Sequence, residues 1–416
     1  MSNGTKIFLA AGEVSGDRYG ALLVGELRRL APTARISGIG GPRMAAAGMC
    51  CHLDMTAHAT VGVAGAVANL PTFAALYRAA IRHLTAERPH VFVPIDNPGF
   101  NLRLVHRARE LAIPVCYYVS PQVWAWGGWR LRQIAAVVNR VLVILPFEEE
   151  LYSKVGVDAR YVGHPMLDYL ATASLDHACI ERLRSWAGTA NVGEGEAGGK
   201  TDSCPQGSRP LLVGLMPGSR AREVSRVFVP IARAAAIVAR RKPTICFAVA
   251  CAQKEHVEVV RHILEKAGMP LARCEILAGR TFEVMAASDI CVAVSGTVTL
   301  ELAFFRCPTV IVYRTGALGR PLRRLLIRTR HIGLPNIIAG REITPEFLLF
   351  DDDPTPVARA ALALLEDPVR HAACRAGLEA VMRQLGGPGA SARAAQAVLD
   401  LVGQWRHPTA TAPPPA

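Results

Sequence analysis

No uninterrupted apolar run in the 416 residues reaches the ~18 that a membrane-crossing helix needs. The eleven cysteines contain no Cys-x-x-Cys pair, and their odd number in so long a chain argues for buried thiols over a disulfide framework. Cys50 and Cys51 are adjacent, a poor arrangement for a metal. No glycine-rich run ends in the Lys of a P-loop, which disfavours a nucleoside triphosphatase. The glycines of Gly12-Glu13-Val14-Ser15-Gly16-Asp17 are spaced differently from a dinucleotide fingerprint, so a nicotinamide cofactor is not expected. Acidic residues are scarce, 34 against 47 Lys and Arg, and the net charge of +13 favours nucleic acid, an acidic membrane surface or a phosphorylated substrate. A signal-peptide layout is also missing: the chain enters an apolar strand at Lys6–Ala11, and a cytoplasmic location is the expectation.

What is present is apolar material, 51% of the chain, with a mean hydropathy of +0.23 that allows contact with lipid. The length is too great for one core and predicts two domains. Strand patterns at Lys6–Ala11, Val91–Ile95, Pro114–Val119, Arg140–Leu145 and Arg160–Val162 alternate with helical ones. Gly38-Ile39-Gly40-Gly41-Pro42 reads as a glycine-rich loop. Residues 187–210, rich in Gly, Ser, Thr, Asn and Pro, read as a flexible linker or insertion. A second series follows, with strands at Leu211–Leu215, Thr244–Ala250, Glu275–Leu277, Ile290–Val294 and Thr309–Tyr313 and a helix starting near Arg222. From Pro354 the pattern is helical, and Val398, Leu401, Val402 and Trp405 form a stripe that must dock. Residues 407–416 are rich in Pro, Ala and Thr and read as a disordered tail. The expected architecture is α/β: two Rossmann-like domains facing each other across a cleft, 1–186 and 211–385, joined by 187–210 and followed by a helix and tail over 386–416.

Two strand-to-helix elbows in the second half suit an anion. In Pro217-Gly218-Ser219-Arg220, Gly218 admits a close backbone approach, Ser219 can cap a helix and Arg220 offers bidentate donors. At Ser295-Gly296-Thr297, backbone N–H groups, two hydroxyls and a helix start converge, and Glu301 lies one turn on from Thr297, within reach of a ribose. Each elbow alone is also an ordinary capped helix. Together they point to a nucleotide half-site that stabilises a departing diphosphate. In the first half Asp96, at a strand's carboxyl end, is the best candidate base, the alternative being an Asx turn in Asp96-Asn97-Pro98-Gly99. Gly163-His164-Pro165 offers a second base but reads better as a hinge. Glu13 sits at the mouth of the first loop, where it either meets a ligand or balances local dipoles. Three of the five tryptophans lie within Trp124–Trp129, as an aromatic wall or membrane rim would. The small, apolar segment 59–71 is either a buried helix start or a surface for acyl chains.

Taken in order, Ala11–Asp17, Gly38–Pro42, Asp96–Asn101, Val119–Trp126, Leu145–Glu148, Pro217–Arg220, Ser295–Glu301 and Leu334-Pro335-Asn336 resemble the motifs of the lipid-A-disaccharide synthase family over about residues 6–405. The resemblance implies a GT-B fold and an inverting glycosyltransferase. Such an enzyme condenses UDP-2,3-diacylglucosamine with 2,3-diacylglucosamine 1-phosphate, giving UDP and the disaccharide 1-phosphate precursor of lipid A, in lipopolysaccharide biosynthesis. It implies that Asp96 is the base, and that Gly218, Ser219, Arg220, Ser295, Gly296, Thr297, Glu301 and Asn336 line the UDP side. Glu13, Ser15, Gly16 and Trp124 are the candidates of the acceptor loops. It implies no cofactor and no metal, and a peripheral place on the anionic cytoplasmic face of the inner membrane, with 59–71, the tryptophans and the arginines of 319–330 as the contact. Nucleic acid is not an implied partner, and the oligomeric state stays open, a homodimer included.

The chain departs from the family pattern at Gly65 and His90, where acidic residues are usual, at Gly127-Gly128, which delay an expected Arg, and in the length of 187–210. The first three fall in the acceptor half and bear on acceptor specificity. Two rivals therefore remain: a GT-B nucleotide-sugar enzyme with another acceptor, and a basic membrane- or nucleic-acid-binding protein without catalysis.

Overall fold

The computed structural model describes residues 4–55, 70–124, 129–189, 211–221, 223–314, 330–351 and 353–406. Most of the apolar segment 59–71, Gly127-Gly128, most of the linker 187–210, Arg222, all but Arg330 of the arginine-rich stretch 319–330, and the tail 407–416 lie outside them. The described chain divides into two compact units. Residues up to Thr172 join those from Leu385 onward, and Ala173–Gln384 form the other.

The first unit is built on seven parallel strands: β1 (Lys6–Ala11), β2 (Arg35–Gly40), β3 (Cys50–Asp54), β4 (Val91–Ile95), β5 (Cys116–Tyr118), β6 (Arg140–Val143) and β7 (Asp158–Tyr161), in the order β3-β2-β1-β4-β5-β6-β7. The connecting helices are α1 (Val14–Leu30), α2 (Pro42–Ala46), α3 (Leu70–Glu87), α4 (Pro98–Glu110), α5 (Trp129–Val137), α6 (Pro146–Ser153) and α7 (Pro165–Thr172). Every residue of β4 and β6 is buried, the near-continuous apolar reading that strands inside a parallel α/β sheet require. The order reverses between β1 and β4, so their carboxyl ends open the crevice where such sheets bind ligands.

The glycine-rich loop expected at 38–42 is mostly strand. Gly38 lies within β2 at φ +150°, and a Cβ there would stand 1.9 Å from the Leu9 carbonyl oxygen, so the glycine lets β2 lie against β1. The loop proper is Gly41 and the start of α2, and Asp17 claims it. Its buried carboxylate accepts from the N–H groups of Gly41 (2.8 Å), Arg43 (3.1 Å) and Met44 (3.0 Å). Asp17 thus caps α2 from the neighbouring helix, joining two of the sequence motifs for a structural reason.

The second unit opens with α8 (His177–Thr189), whose Cys179, Ile180, Leu183 and Ala187 share a core with Leu212, Cys246 and Ala293. The sheet consists of β8 (Leu212–Met216), β9 (Cys246–Cys251), β10 (Cys274–Ala278), β11 (Ile290–Val294), β12 (Thr309–Arg314) and β13 (Glu346–Leu349), all parallel in the order β10-β9-β8-β11-β12-β13. Around it run α9 (Phe228–Arg241), α10 (Val257–Lys266), α11 (Thr281–Ala287), α12 (Val298–Phe304), α13 (Leu334–Ala339), α14 (Thr355–Glu366) and α15 (Pro368–Leu385). The helix expected from Arg222 begins as a π-helical turn, Glu223–Val227, and becomes α-helical only at Phe228.

The last helix, α16 (Ala390–Arg406), belongs to the first unit. Asp168 on α7 caps it by accepting from Gly389, Ala390 (3.1 Å) and Ser391 (2.7 Å). Arg140 of β6, 1% exposed, holds its far half through Ala397 O (2.8 Å) and Gln404 Oε1 (3.0 Å) while pairing with Asp158. Val398, Leu401 and Val402 are buried, as their spacing predicts, but Trp405 stays 47% exposed. Seven of the thiols are buried, and no disulfide is formed among the described residues.

Candidate active site

In the first unit the switch point brings together Gly12-Glu13 after β1 and Asp96-Asn97 after β4. A Cβ on Gly12 would lie 2.3 Å from Asn97 Nδ2, so the glycine leaves room for that amide where it stands. A Cβ on Gly16 would meet Ala11 Cβ at 3.4 Å and the Ile95 carbonyl oxygen at 3.7 Å, ordinary contacts that place the start of α1 against the ends of β1 and β4. Glu13 stands at the N-cap of α1 and Ser15 in its first turn, both half-buried.

Asp96 and Asn97 are successive non-glycine residues in the left-handed region, φ +50° and +43°. Such backbone costs roughly 1 kcal/mol or more per residue and persists where neighbours enforce it. Here the neighbours are identifiable. Asn101, 0% exposed, donates from Nδ2 to the carbonyls of Ala10 (3.2 Å), Ile95 (3.1 Å) and Asp96 (2.7 Å). The Tyr117 hydroxyl donates to the same Asp96 carbonyl (2.8 Å), and the Asp96 N–H donates to Tyr118 O (3.0 Å). Burial and then the Asp96 charge hold the Tyr117 phenol far above its ordinary range, so it remains a donor. The half-buried Asp96 carboxylate is therefore carried on a loop pinned to β1, β4 and β5.

The next ridge is the turn after β5. Val119 is also left-handed, φ +56°, a strained position for a β-branched residue, and Ser120 beneath it is buried. Trp124 is half-buried, its indole N–H donating to Glu148 Oε1 (2.9 Å) and its ring edge-on to Phe147, centroids 5.4 Å apart. Glu148, at the start of α6 after β6, accepts at Oε2 from Leu145 N (3.0 Å) and Ile144 N (3.3 Å). Burial pushes this carboxyl up to about 7. At the end of β7, His164 is buried, accepts at Nδ1 from Met166 N (3.2 Å) and meets Tyr19 edge-on; burial lowers its pKa to about 4, so it packs as a neutral ring and is unsuited to act as a base.

In the second unit the order reverses between β8 and β11, and pairing of Met216 with Ala293 sets the two elbows side by side. At the first, Gly218 is left-handed (φ +100°), Ser219 and Arg220 are exposed, and the Glu223 carboxylate fills the turn. It accepts from Ser219 N (3.0 Å) and Arg220 N (3.2 Å) and lies 3.5 Å from the Arg220 guanidinium. The cap of this turn is Glu223, where the sequence pointed to Ser219. At the second elbow, Ser295 donates to Ile332 O (2.9 Å), Gly296 and Thr297 are exposed, and Glu301 is half-buried on α12. Ile332 and Gly333 donate to Glu346, which also pairs with His331, and a cavity of about 390 Å3 lined by Arg330, His331, Arg341, Glu342 and Glu346 opens beside them. Asn336, expected on the UDP side, is 0% exposed: its amide accepts from Ile343 N (2.8 Å) and Thr344 N (3.1 Å) and donates to Thr344 O (2.9 Å). It shapes the loop of this cavity from beneath.

Position at predicted strand ends singled out Asp96 and both elbows as candidates, and the structure places them at strand ends. Position did not assign roles to Asn101, Tyr117, Glu148 or Glu223; each is a polar residue near a loop motif, the signal that could have singled it out. Among the described residues no three His, Cys, Asp or Glu are grouped to hold a metal.

Two parallel α/β units, each with a loop crevice at its switch point, define a two-domain α/β protein of the Rossmann-like class. The whole chain superposes on a putative UDP-N-acetylglucosamine 2-epimerase from Listeria monocytogenes with a TM-score of 0.64, at 13% identity and 98% coverage of each chain. It also superposes on the Neisseria meningitidis UDP-GlcNAc 2-epimerase solved with UDP-GlcNAc, with a TM-score of 0.61, 11% identity, and 95% and 100% coverage. At these identities the likeness concerns the fold. The sequence narrows the class: the profile of the lipid-A-disaccharide synthetase family matches residues 7–183 and 205–401. The lipid-A-disaccharide synthase of Syntrophus aciditrophicus is 36% identical over 96% of this chain and 98% of its own length. That of Geobacter sulfurreducens is 35% identical with the same coverage. The chain belongs to the lipid-A-disaccharide synthase family, glycosyltransferases that use a UDP-sugar donor and a sugar acceptor.

Proposed function

We propose that this chain condenses UDP-2,3-diacylglucosamine with 2,3-diacylglucosamine 1-phosphate, with inversion, through Asp96 as general base. The Asp96 carboxylate takes the proton of the acceptor's sixth-position hydroxyl as that oxygen bonds to the donor's anomeric carbon. The bond from that carbon to the β-phosphate oxygen breaks, and UDP leaves with its electron pair. The observation that carries the reading is Asp96 itself, held in a left-handed turn by Asn101 and Tyr117 at the switch point of the first sheet.

The donor side is assigned to the elbows of Gly218, Ser219 and Arg220 and of Ser295, Gly296 and Thr297, with Glu301 on the ribose and Asn336 supporting from below. The Glu223 carboxylate supports this assignment: the backbone N–H groups of Ser219 and Arg220 already receive an anion, and a phosphate entering there would take its place. Glu13, Ser15, Gly16 and Trp124 are assigned to the acceptor side. The acylated substrates and the net charge of +13 support a peripheral place on an anionic membrane; among the described residues no helix is long and apolar enough to cross one.

The test is turnover of the two diacylated sugars followed by mass spectrometry, with Asp96→Ala beside the wild type. Loss of disaccharide with UDP binding retained is the expected result. Unchanged turnover in the variant would refute the base, and a product from a different acceptor would replace the substrate assignment.

A further inference from the structure

We propose that Glu148 is a positioning residue for the acceptor side, its buried carboxylate holding the Ser120–Trp124 turn through the Trp124 indole. The proposal rests on the acceptor reading of the first unit. Three observations bear on it. The first is placement: β4, β5 and β6 are neighbours, so Asp96, the Trp124 turn and Glu148 follow one another along one edge of the sheet. Asp96 N bonds to Tyr118 O, two residues before Ser120, so the base loop and the Trp turn hang from the same strand.

The second is cost. Glu148 is 1% exposed, and a carboxylate so buried costs free energy unless its oxygens are satisfied. Leu145 and Ile144 would satisfy Oε2 in any α6 N-terminus, but Oε1 is spent on Trp124, a residue 24 positions away. The third is strain. Val119 at φ +56° turns the chain out of β5, and a second tie, Tyr152 OH to Pro121 O (3.0 Å), holds the same turn. Two side chains of α6 thus secure a short, strained turn whose aromatic tip, packed on Phe147, is half open to the acceptor edge.

The tie is titratable. A protonated carboxyl presents one poor acceptor oxygen, so gaining a proton weakens the hold on either Trp124 or the α6 backbone. Burial places that event near neutrality, at about 7. Ser120 and Trp124 face Glu148 from the turn, Tyr152 from its own helix and Tyr161 from β7, with Arg393 of α16 beyond Tyr161. Both phenols are raised by burial and stay neutral throughout, so Glu148 is the group of this set that changes charge between pH 6 and 8.

The experiment compares wild type, Glu148→Gln, Trp124→Phe and the double variant. Trp124→Phe removes the N–H together with the pyrrole ring and keeps one aromatic ring at this position, so the pH dependence and the double variant, more than the size of the single effect, report on the tie. The Trp124 fluorescence, taken as wild type minus Trp124→Phe, should titrate between pH 5.5 and 9 with a midpoint near 7 and lose that transition in Glu148→Gln. At pH 8 both single variants should raise KM for diacylglucosamine 1-phosphate about tenfold, leave KM for the UDP-sugar and the saturated kcat within about twofold, and combine without further loss. Should Glu148→Gln not fold, Trp124→Phe alone carries the KM test. A flat fluorescence titration, an unchanged midpoint in Glu148→Gln, or an unmoved acceptor KM would each overturn the proposal. If wild type forms no disaccharide, the acceptor reading has failed, whereas the fluorescence titration still decides whether Glu148 holds Trp124.

Discussion

Asn101→Ala separates the loop that carries the base from the base itself. Asn101 has two amide hydrogens directed at three backbone carbonyls and is fully buried. Losing two net hydrogen bonds at about 1 kcal/mol each, and leaving a small cavity, should cost roughly 2–4 kcal/mol of stability. The functional effect comes from the backbone. Without the tie at the Asp96 carbonyl, the two left-handed residues can relieve roughly 2 kcal/mol of strain by turning extended, which swings the carboxylate away. Turnover should then fall at least about tenfold, the equivalent of 1.4 kcal/mol, while UDP affinity stays unchanged because the donor elbows lie in the other unit. Urea unfolding, steady-state kinetics with both sugars and calorimetric UDP binding measure the three quantities. A variant that unfolds earlier but turns over at the wild-type rate would show that the Asn101 ties do not position Asp96.

Other predictions concern the scaffold and its charges. Gly38→Ala should prevent the first unit from folding, read as insoluble expression or loss of cooperative unfolding, because its Cβ collides with backbone that cannot yield. Asp168→Ala should uncap α16 at a cost of roughly 1–2 kcal/mol, visible as faster amide exchange across residues 390–406 with UDP binding intact. His164 is held near pKa 4, below its ordinary 6.5, so the unfolded chain takes up the proton first and stability is lost as pH falls between those values, by about 3 kcal/mol. Glu148 has the opposite sign: its carboxyl lies near 7 against an ordinary 4.5, so stability is gained as pH falls through that window, again by about 3 kcal/mol. The two nearly cancel in the wild type, and His164→Phe should leave a protein whose urea midpoint rises from pH 7 to 5; a midpoint that falls would contradict the Glu148 assignment.

The sequence made the buried strands legible because their apolar runs have no competing explanation: Val91–Ile95 and Ile290–Val294 appear as read. It was misleading at β2, where Gly38, which admits the β1 backbone, and Gly40, which admits the Met44 side chain, look like loop residues, and silent at the edge strands β3 and β13, which are short and only partly buried. The site divides in the same way. Asp96 and the two elbows stand at strand ends, so position alone exposes them. That they meet in pairs depends on strand order, which hydrogen bonding between distant segments decides. Asn336 shows what a motif cannot: its amide is held by the backbone of Ile343 and Thr344, beneath the loop it was expected to line.

The docking of α16 on the first sheet has a consequence for how the protein is made. Residues 385–406 complete a unit whose other part ends at Thr172, so the ribosome must synthesise the whole second unit in between. Until then, the surface destined for Ala394, Val398, Leu401 and Val402 is open, and the Arg140 guanidinium lacks its carbonyl and amide partners. The second unit is contiguous and can fold on emergence, whereas the first waits half-finished with apolar surface exposed, the state in which aggregation competes. A circular permutant that places 385–406 ahead of residue 4 would remove that wait.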